Sequence, residues 1–524
     1  MAATGSFSRR DVLRLIGASA AAAAVPPVLA GCGSSAAPAA QGNPAGHKGG
    51  RLRVGIVGGS AKDSLNGHNP ITHPDEARTI QLYDTLATYD SNFRTQLALA
   101  EEITPSADAR SWTIRLKQGL EFHNGKTVGA EDVAYTLRRI IDKASPQAGA
   151  AGLAAIDPNG ISVVDPRTVK LTLAVPDAVL LDQFAQYQNG IVPVGYDPKN
   201  PVGAGPFKFT SFQPGQQSVF SRHPNYWRKD EPRVDEVVII DFPDDTARVN
   251  ALISNQVDAI SQLPLGQINV VKANPDLRVL DSESGAWLPF TMRVDRPPFD
   301  DVRVRQAFRL VVDRDQMVKQ VLGGHGAVAN DVYGRFDPAY DSDLPQRKQD
   351  IAKARELLKA AGKENLTVEL VTSPVAAGVV EAAQVFAEQA KAAGITVKVK
   401  QVDSGEFYGD NYLKWDFAQD FWFSRGYLSQ TAQGSLPDAP YNETHWADPT
   451  FISLIKQARQ TIDESKRNEL LKQAQKIEYD SGGYIIWGFN NQVDAYRATV
   501  NGLTPDKTGI PLNYYGFRRV WLAG

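Results

Sequence analysis

Between Gly203 and Ile260 the chain sets out a nearly complete piece of sheet, and this stretch constrains what the rest can fold into. Phe207, Phe209 and Phe212 fall in near alternation with Lys208, Thr210 and Ser211; Pro214-Gly215 then turns the chain, and Val219-Phe220 begins a returning strand. Val237 to Ile240 is apolar at every position, the pattern of a strand covered on both faces. Asp244 or Asp245 can cap the helix that follows, with Val249, Leu252 and Ile253 as its apolar stripe. Val257 to Ile260 reads as one more buried strand. Hairpin, strand, helix and strand together make a core that distant segments can leave and rejoin.

A chain of 524 residues exceeds what one hydrophobic core supports, so two or three domains are expected. A net charge of −3 lacks the basic footprint of a nucleic-acid binder. The first residues are not part of the fold. Ser8-Arg9-Arg10 opens a charged segment with paired arginines, Leu15 to Val28 is a short alanine-rich apolar run, and Leu29-Ala30-Gly31-Cys32 is a lipoprotein cleavage box. The apolar run is too short and too alanine-rich to span a bilayer, which takes about 20 apolar residues. Cys32 is the sole cysteine, and its position at that box gives it a purpose: lipid attachment after residues 1–31 are removed, leaving a charge of −5. Residues 32–50 then form a flexible tether holding an exported chain to the outer face of the cytoplasmic membrane. With no other candidate span, any transport role needs a separate permease.

Further along, Arg51 to Val57 alternates as a strand, Asp75 to Leu86 reads as a helix, and Trp112 to Leu116 is a clear strand. A helix over 130–141 and a hairpin across Asp165-Pro166-Arg167 fill a region that reads as a small inserted domain. A long helix is predicted over Asp301–Leu322. Helices over 351–361 and 379–393 alternate with strands over 366–372 and 395–402, each helix expected to end at a left-handed glycine, Gly362 or Gly394. That alternation predicts a largely parallel sheet. Two helices at 450–480 precede a strand over Tyr484–Phe489.

The ordered set Gly203-x-Gly-Pro-Phe207, Pro214-Gly215, Asn225-Tyr226-Trp227 and Asn255-Gln256-Val257-Asp258 resembles the extracytoplasmic solute-binding proteins of peptide-type ABC importers, the dipeptide/oligopeptide/nickel-binding family. Leu116 to Val133 and Pro298 to Ala307, continuing to Asp313-Arg314, match two further signatures of that family. The resemblance runs from Gly49 to the end. It implies an α/β, two-lobed periplasmic-binding-protein fold with a hinge and an additional small α+β domain. Lobe I would be discontinuous (51–88, 203–292 and 490–524), the inserted domain would be 89–202, and lobe II 293–489. It also implies a monomer that captures a peptide or peptide-like solute by hinge closure and hands it to an ABC permease and its ATPase. A ligand-binding sensor, or a binding protein for an anionic compound, a sugar or a metal chelate, remains open at this point.

Chemistry of other kinds finds little footing. Gly119 to Thr127 ends like a phosphate loop but has one residue too many between its glycines, and Asn124-Gly125 is a better hairpin turn. There is no H-E-x-x-H, no G-x-S-x-G and no nucleophilic cysteine, so neither a catalytic residue nor a cofactor is expected. His68 and His73 are close together in a loop without a convergent donor set, so no metal is expected. What stands out is aromatic density: eleven Phe, Tyr or Trp fall between Phe407 and Trp446. Aromatics beside polar groups such as Gln419, Asp420, Arg425 and Asn442 suit a cleft wall. The family places an acidic residue shortly after a tryptophan here, where peptide binders receive the ligand's ammonium. Alignment on Trp422 puts Arg425 at that position, so a different peptide register or an anionic ligand group is expected, unless Arg425 pairs with Asp420 or another acid of the protein and touches no ligand. Trp422, Arg425, Asp420, Trp287 and Asn66 are the expected ligand-binding residues.

Overall fold

Strand Arg51–Val57 lies at the centre of the largest sheet, parallel to both Glu236–Phe242 and Ala259–Ile260. Leu52, Val54 and Ile56 are wholly buried, which is what their alternation predicts. The computed structural model describes residues 48–523, the side chains of 404 and 405 excepted; the export segment, Cys32 and the tether up to residue 47 lie outside them. The hairpin Phe207–Gln213 and Gln217–Arg222 extends the sheet on one side, while Gly488–Arg497 and Leu277–Trp287 extend it antiparallel on the other. Asp244 caps helix Asp245–Ile253 through Ala247 N–H, and Val249 and Leu252 are buried. Ile253, expected in the same stripe, is instead 40% exposed. A short strand, Gly326–Val328, comes from the expected lobe II and joins this sheet.

The sequence signatures turn out to be scaffolding. Gly203 and Gly205 pass so close to the end of helix His73–Leu82 that a Cβ would stand 2.0 Å from Leu82 O at one position and 2.4 Å from Gln81 O at the other. No side chain fits there. Tyr226 and Trp227 both donate to the Asp84 carboxylate, at 2.9 and 2.5 Å. Arg305 and Arg309 donate to the carbonyls of Ser481, Gly482 and Tyr484, closing the end of helix Glu464–Ser481 where unpaired carbonyls gather. The single helix expected over 301–322 is two, Val302–Leu310 and Arg314–Val321. Asp313 breaks it because its side chain accepts from Gln316 N–H and starts the second as an N-cap.

Residues 100–173 supply a separate four-stranded antiparallel sheet with helix Ala130–Ile140 on its own apolar core. The second large core surrounds a five-stranded sheet, ordered Thr396–Gln401, Thr367–Thr372, Phe417–Gln419, Phe290–Met292 and Tyr484–Ile485, the first three parallel. The left-handed Gly362 and Gly394 end the flanking helices as expected, with φ of 65° and 81°.

Two stretches run through both large sheets. Leu277–Trp287 continues into Phe290–Met292, and Tyr484–Ile485 continues into Gly488–Arg497; Trp287 pairs with Phe489 in one sheet and Phe290 with Ile485 in the other. The strand expected over 484–489 is thus divided between sheets. Asp331 holds the crossing: it is wholly buried, accepts from Ile486 N–H at 3.0 Å, and pairs with Arg314 and Arg347 at 2.7 Å each. Removing one member of a buried ionic set leaves the others uncompensated, at about 3–5 kcal/mol. Asp331→Ala should lower the urea unfolding free energy by that amount; a loss below about 1 kcal/mol would show that the crossing does not depend on it.

Candidate functional site

Trp422 follows strand Phe417–Gln419 and forms an isolated antiparallel bridge with Trp287, each N–H donating to the other's carbonyl at 2.9 Å. Their rings stack at 5.9 Å, and the stack continues from Trp287 to Tyr333 at 5.5 Å and from Tyr333 to Tyr427 at 4.9 Å. Trp287 is 1% exposed, so it supports Trp422 from behind and does not itself offer a surface. The chain then runs from Phe423 to Gly426 outside helix and strand before helix Tyr427–Gly434. Ser424 Oγ accepts from Gly285 N–H at 2.7 Å, and the Phe423 ring meets His73 edge-on at 6.3 Å. This short segment of one lobe therefore lies against the other.

Arg425 projects from it with its guanidinium 5.5 Å over the Trp422 ring. Among the described residues it makes no ion pair or hydrogen bond. Burial lowers its pKa, while the nearby Tyr187, Tyr441 and Tyr89 hydroxyls act in the opposite sense. The side chain nevertheless keeps accessible surface. A group deep enough to be desolvated yet still accessible faces an internal gap and not packed protein. Just beyond, at Gly426, a cavity of about 660 Å³ is walled by Tyr89, Asp182, Phe336, Asp337 and Ser429, among others. That volume is in the range of small-ligand sites.

Asp420 does not pair with Arg425. It accepts from the Tyr408 and Tyr412 hydroxyls at 2.7 and 3.1 Å and from Phe421 N–H. Its neighbour is Glu443, which the sequence reading missed although Asn442 stood beside it. Glu443 is buried against Asp420, Trp422 and Tyr484, and neither of its oxygens completes a hydrogen bond of good geometry. Burial first, then the Asp420 charge, pushes its pKa well up and favours its protonated form. Asn66 belongs to a different network, accepting from His68 N–H and Arg139 and donating to Gln147.

Two tyrosines complete the gap without a sequence signal. Tyr187 comes from the short 3₁₀ turn Tyr187–Asn189; burial pushes its pKa up, with the Glu76 carboxylate acting in the same sense and the Arg425 guanidinium in the opposite one. Tyr514 is delivered by a left-handed run, Leu512 to Tyr515, with φ between 43° and 62°. Such backbone costs about 1–3 kcal/mol per residue. Asp494 holds it, accepting from Leu512 N–H at 2.7 Å, and Asp506 accepts from the Asn513 amide. Among the described residues no cluster of three or more metal-ligating side chains occurs.

Two lobes, joined by paired crossing strands and enclosing an aromatic, charge-bearing gap, define a solute-binding protein of the periplasmic type. Residues 94–438 match the bacterial extracellular solute-binding proteins, family 5, and the chain belongs to that family. It is 28% identical to di/tripeptide-binding protein 1 of Pseudomonas aeruginosa, over 72% of this chain and 78% of that one. Its fold is similar to that of a DppA binding protein from Helicobacter pylori in complex with the peptide STSA (TM-score 0.77, 22% identity, 91% of this chain, 99% of that one). It is equally similar to NikZ from Campylobacter jejuni in complex with Ni(L-His) (TM-score 0.77, 19% identity, 90% and 99%). No described helix is long and apolar enough to cross a membrane.

Because native Glu443 retains its proton to higher pH than an unfolded Glu (about 4.3), its contribution favours the folded state below that value and is lost as pH rises. Glu443→Gln mimics the protonated form, and its urea midpoint should decline less than wild type as pH is raised from 4.5 to 8. Equal slopes in the two proteins would show that Glu443 is already ionised.

Proposed function

We propose that the protein captures a peptide or peptide-like solute in the gap between its lobes and delivers it to an ABC permease. The lobes correspond to 51–88 with 203–292 and 490–524, and to 293–489, with 89–202 as the small domain beside the first. The distribution of the sheets supports this division, with Gly326–Val328 reaching back across it. The observation that carries the function is Arg425: a desolvated guanidinium over Trp422, without an ion pair among the described residues, in a chain similar to a di/tripeptide-binding protein. A cation held out of water without a partner is unfavourable until an anion arrives. A ligand carboxylate can occupy both of its N–H edges at once. Contacts to both lobes then favour the closed form in proportion to its differential affinity. Trp422 lies under Arg425 and Trp287 supports it from behind, with Asp420 two residues before Trp422; Asn66 stays in its own network with His68, Arg139 and Gln147. The protein acts as a monomer, tethered through acylated Cys32 to the outer face of the cytoplasmic membrane.

Native mass spectrometry of the purified protein should find a bound small molecule with a free carboxylate. Reversing the charge in Arg425→Asp should weaken a carboxylate-bearing peptide at least tenfold in calorimetry, on the order of the 1.5–3 kcal/mol of a hydrogen bond to a charged group. Unchanged selectivity would remove Arg425 from the site. For the anchor, Cys32→Ser should shift the protein from the membrane fraction to the soluble fraction, and continued membrane retention would refute lipid attachment.

A further inference from the structure

The crossing strands are not the one place where the bodies of the division proposed above meet. Asp177, Ala178 and Val179 of the small domain form a tongue that engages lobe II at all three positions. Asp177 Oδ2 accepts from the Arg459 guanidinium at 2.8 Å, and Ala178 N–H donates to Arg459 O at 2.7 Å. Val179 packs against the apolar cluster that includes Leu428, Phe451 and Ile455. A little further on, Gln183 Nε2 donates to Ser429 Oγ at 3.0 Å.

Each side of this contact is formed within its own domain. In the small domain, Trp112 Nε1 donates to Asp177 O and Val179 N–H to Asp177 Oδ1, both at 3.0 Å, which leaves Oδ2 for Arg459. In lobe II, Arg459 lies in the last turn of helix Pro449–Gln460, where carbonyls have no partner inside the helix. Arg459 thus offers a cation and an open carbonyl together, and the tongue meets both. Asp177 is 1% exposed, so water does little to screen its side of the pair.

The small domain is tied to lobe I. His123 N–H donates to Gly203 O at 2.9 Å, Ala148 N–H to His68 O at 3.0 Å, and the Asn225 amide to Glu121 at 2.9 Å. Asp177, Gln183, Ser429 and Arg459 all lie outside the crossing strands. Bodies joined covalently at the crossing therefore touch again at a second seam. Polar contacts of this kind between domains are reversible by default. Val179 and Asp182 on one side of the seam, and Leu428 and Ser429 on the other, also line the cavity beside Gly426.

We propose that the tongue 177–179, with Gln183, is a latch: it holds lobe II against the small domain without any ligand and releases when the lobes part. The shut form then draws part of its stability from the protein itself, and a ligand that makes few contacts is enough to complete the closure. The latch belongs to the empty protein and stands or falls independently of what the gap binds.

The test is hydrogen exchange read by mass spectrometry on the full chain carrying Cys32→Ser, with no ligand added. A backbone N–H bonded across the seam exchanges when the seam opens. With Arg459→Gln added, the peptide covering residues 176–180 should exchange roughly tenfold faster, the effect of losing a hydrogen bond to a charged group, while strand Ser111–Leu116 keeps its rate. Ser429→Ala should act in the same direction, and Arg459→Lys, which keeps the cation, should fall between the parent and Arg459→Gln. Spin labels on Val164→Cys and Lys476→Cys, both exposed positions, should show a shifted separation in Arg459→Gln. An unchanged rate over 176–180 would show that the seam holds nothing shut. Equal acceleration in strand Ser111–Leu116 would make the contact a support of the small domain and not a latch. Faster exchange with an unchanged label separation would mean that the tongue frays without the lobes parting, which also overturns the proposal.

Discussion

The two large sheets are joined in one molecule by a pair of antiparallel stretches, with the short strand Gly326–Val328 added beside them, and the rest of the architecture follows from that pairing. Leu277–Met292 and Tyr484–Arg497 are hydrogen-bonded to each other in one sheet, part briefly, and pair again in the other. Two parallel connections at one place permit a bend there and resist sliding. Asp331, with Arg314 and Arg347, fixes Ile486 on one side of the interruption. Both stretches change sheets within the same few residues, around Pro289 and Trp487. A gap that must open and shut needs this confinement, because a looser junction would not return Arg425 and Tyr187 to the same separation.

Much of this was legible in the chain. Alternation in Arg51–Val57, the hairpin at Pro214-Gly215 and a capping aspartate at 244 or 245 are local signals, and local physics obeyed them, with Asp244 as the cap. The errors came where two local signals competed or where tertiary context decided. Helical periodicity runs through residues 301–322, but in the structure the Asp313 side chain caps a second helix inside that range, and the cap prevailed. Tyr484–Phe489 has the composition of one strand; nothing in it says that its halves belong to different sheets. Ile253 sits at the right spacing for a stripe that the neighbouring elements do not cover.

The candidate site was less legible, for a physical reason. Family signatures in this chain mark places where the backbone tolerates no alternative: glycines pressed against Leu82, arginines closing a helix end, aromatic donors satisfying Asp84. Residues around the gap carry no such constraint, since a gap by definition lacks packing partners. Trp422 and Arg425 were found through aromatic density and alignment. Glu443, Tyr187 and Tyr514 come from three separate parts of the chain and share no motif; only the fold assembles them.

The bridge between Trp287 and Trp422 has a mechanical meaning. Trp287 is the last residue of its strand before the crossing, so the segment bearing Arg425 is fastened almost on the pivot itself. Force applied there acts on a short lever: a small displacement of the guanidinium becomes a much larger excursion at the far rim of each lobe. A guest no bigger than a few atoms can in this way reshape the outer surface that a membrane partner would read.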